Sequence, residues 1–147
     1  MTVRRATIHD LALVVPLFDA YRQFYRKPAD LTVATKFLSE RFQNNESIIF
    51  VATGEGDAAL GFVQLFPSFS SGVAARILIL NDLFVVPDAR LAGIGASLLR
   101  AAADFGKSVG AVRLTLSTEV TNRNAQALYE AEGWTLQTDF CVYNLAL

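Results

Sequence analysis

The sequence predicts a mixed α/β domain: a central sheet, mixed but mostly antiparallel, with helices on both faces. Three observations predict it. Short segments rich in β-branched and aromatic residues recur along the chain, and two long stretches of helical spacing follow the first and the fourth of them. Hydrophobic residues make up 52% and charged residues 18% of the 147, a balance that excludes disorder and suits one substantial core. No internal repeat or low-complexity tract divides the chain, so residues 1–147 read as a single domain.

In order, Thr2–Ala6 is a short first strand. His9–Arg26 has helical spacing, with Leu11, Val14, Val15, Phe18 and Tyr25 on or near one stripe, and Pro16 inside it predicts a kink or a late start. Asp30 is placed to cap a second helix over Leu31–Asn44. Ser47–Thr53 is a strand ending at the turn residues Gly54–Asp57, and Ala58–Phe66 is its hairpin partner. Pro67–Val73 reads as a Ser/Gly loop before a long apolar strand, Ala75–Val86. The strongest helix spans Ile94–Val109, with Gly110 placed to end it. Ala111–Ser117 is strand-like, Asn124–Glu132 is a short helix closed by Gly133, and Trp134–Leu147 supplies one or two last strands.

Charge narrows the function. Thirteen Lys and Arg against 14 Asp and Glu give a net charge of −1, so neither a nucleic-acid coat nor a polybasic membrane binder is expected. One cysteine, Cys141, forms no internal disulfide, and one thiol with one histidine makes no zinc site, so no metal is expected. Arg4-Arg5 is followed by His9, Asp10 and Pro16 rather than by an unbroken apolar run, so a secretion signal is not predicted and a cytoplasmic domain is. A mean hydropathy of +0.34 implies a dense core and permits an apolar homodimer face.

The chemistry concentrates after the long strand. Asn81-Asp82-Leu83-Phe84-Val85-Val86 runs into a loop, Pro87–Ala92, then Gly93-Ile94-Gly95-Ala96 opens the long helix. Glycines there let the backbone approach an anion, and the free N–H groups and dipole of the first helical turn favour phosphate oxygens. A Walker loop needs Gly-Lys-Ser/Thr, which is missing, and a dinucleotide fingerprint needs a third glycine where Leu98 stands. What remains is Arg90-x-x-Gly93-x-Gly95, which alone is equally an ordinary helix-capping turn.

A second pattern follows: Asn122-Arg123-Asn124-Ala125-Gln126-Ala127-Leu128-Tyr129-Glu130-Ala131-Glu132-Gly133-Trp134. With both segments in this order, the chain resembles the GNAT acetyltransferase superfamily, most strongly over Ile79–Trp134. The resemblance implies an N-acetyltransferase that uses acetyl-CoA as co-substrate, held where two parallel strands splay apart. It implies that Leu83, Phe84, Val85 and Val86 offer backbone groups to the pantetheine arm. It also implies that amides of Leu91, Ala92, Gly93, Ile94, Gly95 and Ala96 hold the pyrophosphate, with Arg90 at the motif's Arg/Gln position, either on the cofactor or solvated. Asn124 would bond the cofactor or nearby backbone, or cap its helix. Tyr129 would be the general acid that protonates the CoA thiolate as it leaves; without the resemblance it reads as a core tyrosine.

The base is left open. In the family that the chain resembles, some members carry a glutamate on the fourth strand at the position of Asn81, and asparagine cannot serve as a base. Asp82 is adjacent, as base or as anchor, but strand alternation turns it to the other face unless a bulge intervenes. The acceptor is expected beside Asn81 and at the junction of the first two helices, where Tyr21, Arg22 and Tyr25 lie in an aromatic and basic stretch ending at Lys27. Those cations disfavour a polyamine and suit a small amine that also carries a carboxylate or phosphate; a solvated helix face is the plain alternative. The loop Phe66–Gly72 offers a second wall. A non-catalytic acyl-CoA-binding module and a peptide N-acetyltransferase are the other functional readings, the first supported by the missing glutamate.

Overall fold

The first helix and strand are tied together at the surface by charge. The computed structural model describes residues 1–147, and its first strand, β1, is Thr2–Arg5. A single 3-10 turn, Ile8–Asp10, follows it. Thr7 Oγ1 accepts from the His9 N–H (3.3 Å), and the Asp10 carboxylate accepts from the Thr7 N–H (2.8 Å) and from the Arg4 guanidinium (2.8 and 3.0 Å). The hydrogen bond from Arg4 is the chief reason that the Asp10 carboxyl is held down at about 2. His9 is exposed, as a surface or capping residue should be.

α1 (Leu11–Phe24) runs through Pro16, which lies within it without ending it. α2 (Leu31–Gln43) is capped by Asp30, whose carboxylate accepts from the Val33 N–H (3.0 Å). The strands are β2 (Ile48–Thr53), β3 (Ala59–Ser70), β4 (Ala75–Val85) and β5 (Leu114–Thr115). α3 (Ile94–Ser108) connects β4 to β5, and the sheet order is β1-β2-β3-β4-β5. The first three pairings are antiparallel and β4–β5 is parallel.

Alternation along β2 shows how the two faces are covered. Ile49 and Val51 join Val14, Phe18, Ala34, Leu38 and Phe62 in the core beneath α1 and α2. Phe50, between them, meets Phe105 of α3 on the opposite face (6.0 Å between rings). At Gly61 the ladder between β3 and β4 needs glycine, because a Cβ there would lie 2.6 Å from the Phe84 carbonyl oxygen.

Two expectations are corrected. The Ser/Gly loop is shorter than predicted, because Pro67 to Ser70 continue β3 and pair with Leu78 to Ala75. β2 accompanies β3 only as far as Leu65, so beyond it β3 has one open side where a proline lacking an N–H is tolerated. The last strands do not form: no ladder runs over residues 135–147. Alternating apolar residues make a strand possible, but a strand exists only where a partner takes up its backbone groups. Cys141, within this segment, is exposed.

By contacts the chain divides into Met1–Ser117, which holds the whole sheet, and Thr118–Leu147. The second unit is built on α4 (Arg123–Ala131), closed by Gly133 in the left-handed region (φ 89°). No helix of the chain is long and apolar enough to cross a membrane.

Candidate active site

Asp82 is brought into play by the bulge that alternation alone could not supply. Gln64 pairs with Asp82 and Leu65 with Leu80, which leaves Asn81 as the extra residue of β4. Asn81 and Asp82 then line one cavity of about 220 Å³. Its other walls are the aromatic rings of Phe18, Tyr21 and Tyr25 from α1 and its C-terminal end, and Phe37 from α2. Arg22 and Lys27 complete it. All four residues expected at the acceptor site, Tyr21, Arg22, Tyr25 and Asn81, are therefore together, with Asp82 among them.

The carboxyl of Asp82 is buried, at 2% exposure, and charge there is costly. Burial is the main cause that pushes its pKa above the ordinary 3.8. Hydrogen bonds from Gln64 Nε2 and from Asn81 Nδ2 (2.9 Å) oppose that shift by favouring the charged form. The Tyr21 hydroxyl donates to the Asn81 carbonyl (3.2 Å), tying the helix to the bulge. Gln64 was missed in the sequence. The signal was a lone amide inside the apolar run Gly61-Phe62-Val63-Gln64-Leu65-Phe66, since a buried polar group requires a partner. Phe18, in sequence one of a helical stripe, and Phe37 also line the cavity. The loop Phe66–Gly72 contributes nothing to this cavity.

Arg22 is unusual in this setting. Its Nη1 is buried and has no hydrogen-bond partner. The nearest acid in sequence, Asp19, is already engaged: its oxygens accept from Gln23 Nε2 (3.1 Å) and from the Asp30 N–H (2.9 Å).

The glycine loop has the form that an anion requires. Leu91 and Gly93 both have positive φ, 65° and 78°, and Gly93 stands as N-cap of α3 with no side chain closing the helix end. The N–H groups of Ile94, Gly95 and Ala96 thus open the helix without a side-chain cap, where a pyrophosphate would be favoured. Arg90 is partly committed, since its Nε donates to the Val85 carbonyl (3.0 Å) and its guanidinium lies over the rings of Phe84 and Phe24 (5.7 and 5.8 Å). β4 and β5 pair only at Leu78 and Ile79, against Leu114 and Thr115. Beyond Ile79, β4 continues through Leu83, Phe84 and Val85 with β3 on one side and no strand on the other. Val86 follows directly, donating its N–H to the Leu60 carbonyl. An edge of β4 without a neighbouring strand leaves main-chain groups for an amide-bearing arm, so the residues present fit acyl-CoA.

In the second unit the helix is capped by Asn122, not by Asn124. Its side chain accepts from the Ala125 N–H (3.3 Å), and Asn124 lies exposed in the first turn of α4. Asn122 wins because its own backbone is non-helical, as a cap requires. Tyr129 is half-buried beside Trp134 (6.0 Å between rings), and its carbonyl accepts from the Trp134 N–H (2.9 Å).

The profile of the Acetyltransferase (GNAT) family matches residues 14–134. This chain belongs to the GNAT acetyltransferase family. It is 49% identical over 145 residues to the Bacillus subtilis (strain 168) protein named Uncharacterized N-acetyltransferase YhfO, covering 99% of this chain and 97% of that one. A crystal structure of a probable acetyltransferase superposes with a TM-score of 0.94 at 38% identity, over 100% of this chain and 98% of the other. The fold is shared also with an aminoglycoside N-acetyltransferase, AAC(6')-Iy, solved in complex with CoA (TM-score 0.84, 19% identity, covering 99% and 95%). The GNAT chain described here is accordingly an acetyl-CoA-dependent acetyltransferase, with a five-stranded mixed sheet in which β4 and β5 are the parallel pair. No cluster of three or more His, Cys, Asp or Glu is present.

Proposed function

We propose that this enzyme transfers the acetyl group of acetyl-CoA to the primary amine of a small molecule, directly, within a ternary complex. Asp82 accepts the amine proton and Tyr129 returns one to sulfur. The amine nitrogen forms its bond to the thioester carbonyl carbon, the carbon–sulfur bond breaks, and the leaving thiolate takes the Tyr129 proton. The observation that carries this reading is the buried carboxyl of Asp82 lining an aromatic cavity. An ammonium ion near pKa 10 does not attack a carbonyl, and a carboxylate whose pKa is raised removes its proton better than an ordinary one. Tyr129 is assigned from the family motif: charge develops on sulfur only during transfer, so a phenol placed there favours the transition state over the ground state. The amides of Ile94, Gly95 and Ala96 are assigned to the pyrophosphate on the same footing, with Leu83 to Val86 toward pantetheine.

The reading extends to a homodimer. Phe140, Val142, Tyr143 and Leu145 are 77–92% exposed, which is more large apolar surface than a monomer usually leaves in one short segment.

The test is CoA release from acetyl-CoA across a panel of amines, for the native enzyme and for Asp82→Asn and Tyr129→Phe. Asp82→Asn should lower kcat/KM by about 100-fold or more with acetyl-CoA binding retained. Because the base works ionised, native activity should rise with pH through a pKa above 3.8, and that acid limb should vanish in Asp82→Asn. An unchanged rate with an unchanged limb would remove Asp82 from the mechanism. Full activity in Tyr129→Phe would remove the proposed acid and leave the transfer.

A further inference from the structure

We infer that the acceptor carries an anionic group, a carboxylate or a phosphate, on the same molecule as its amine, and that Arg22 binds that group. This rests on the reading of the cavity as the acceptor site. Three observations lead to it. The first is the buried Nη1 of Arg22, a donor without a partner. Such a donor is costly when left unsatisfied, and buried polar groups without partners are rare unless something else completes them. The acid nearest to it in sequence, Asp19, makes its hydrogen bonds with Gln23 and with the Asp30 backbone rather than with this nitrogen.

The second observation is the balance of charge. Arg22 and Lys27 face the cavity, and Asp82 is the one acid that lines it. If Asp82 serves the amine, two cations are left over, and a molecule with several ammonium groups meets repulsion where an anion would meet a partner. An arginine fork matches the two oxygens of a carboxylate or phosphate.

The third is the division of the cavity's surface. Asp82 and Asn81 come from β4 whereas Arg22 and Lys27 come from the end of α1 and the residues after it, with the rings of Phe18, Tyr21, Tyr25 and Phe37 completing the lining. An acceptor with an amine at one end, an apolar or aromatic body and an anion at the other suits that arrangement.

The experiment uses matched amines with native enzyme and Arg22→Gln. Tyramine O-phosphate is paired with tyramine, and 4-(2-aminoethyl)benzoate with 4-(2-aminoethyl)benzamide; spermidine is the polycation. Acetylation is read as kcat/KM from CoA release, and binding is read separately by calorimetry with CoA present. The native enzyme should prefer the anionic member of at least one pair by tenfold or more, and the pair that responds tells phosphate from carboxylate. Arg22→Gln should reduce that anionic-to-neutral ratio by about tenfold or more, the worth of one charged hydrogen bond. Equal use of both members, or better use of spermidine, would overturn the anion site and leave acetyl transfer standing. An equal loss for both members in Arg22→Gln would also overturn it. Calorimetric binding of an anionic probe that Arg22→Gln abolishes, with no CoA release from any amine, would keep the anion site and overturn the transfer. Neither binding nor release would overturn both.

Discussion

At the scale of the residue, the burial that suits Asp82 to its proposed role as base also costs stability. Its carboxyl is buried, and desolvation outweighs the help it receives from Gln64 and Asn81. A carboxyl whose pKa is raised on folding binds more protons in the native state than in the unfolded one between 3.8 and its folded value. Stability therefore falls as pH rises through that window, and above it the ionised group is a net cost. Asp82→Asn should unfold at a higher temperature than the native chain near neutral pH. The difference should shrink as the pH is lowered toward 3.8, measured by thermal unfolding across the series. A lower melting temperature at neutral pH would mean that the hydrogen bonds to the carboxylate outweigh its burial. Asp10 shows the opposite sign at the surface, where the hydrogen bond from Arg4 lowers its pKa to about 2 and stabilises the charged form.

At the scale of the element, β4 does three things that depend on its backbone. Its bulge at Asn81 turns two adjacent polar residues to one cavity, and because its pairing with β5 stops at Ile79, one side of its last residues is left without a partner strand. Its close approach to β3 at Gly61 holds those last residues in place. Gly61→Ala would put a Cβ 2.6 Å from the Phe84 carbonyl, and backbone cannot yield as a side-chain tip can. The substitution should destabilise the fold by about 1–3 kcal/mol and weaken acetyl-CoA binding, since Phe84 and Val85 lie in the stretch assigned to pantetheine. Chemical denaturation and calorimetry read the two effects. A loss of stability with undiminished binding would detach this part of β4 from the cofactor.

At the scale of the whole molecule, the C-terminal segment matters most. Leu136, Phe140, Val142, Tyr143 and Leu145 are strongly exposed, and no ladder includes them. If a second copy covers them, sedimentation should give a dimer at micromolar concentration. The triple substitution Leu136→Gln, Phe140→Ser, Val142→Thr should then give a monomer with unchanged helical circular dichroism. A native monomer under those conditions would refute the dimer.

Much of this protein was legible in its sequence because the relevant physics is local. Helical spacing in Leu31–Gln43 and Ile94–Ser108, the cap at Asp30 and the glycine at position 110 depend on neighbours a few residues away. The glycine opening of the Ile94–Ser108 helix and the order of the two motifs were likewise readable, and with them the family. Other features depend on what lies across a ladder. The extension of β3 through Pro67 and the Asn81 bulge are matters of pairing, as is the absence of strands after Trp134, and a sequence does not name a strand's partner. The cavity proposed for the acceptor belongs with these. Tyr21, Arg22 and Tyr25 could be picked out one by one, but only the packing of α1 and α2 against a bulged β4 placed them around Asp82. Packing alone also left Arg22 Nη1 buried and unanswered.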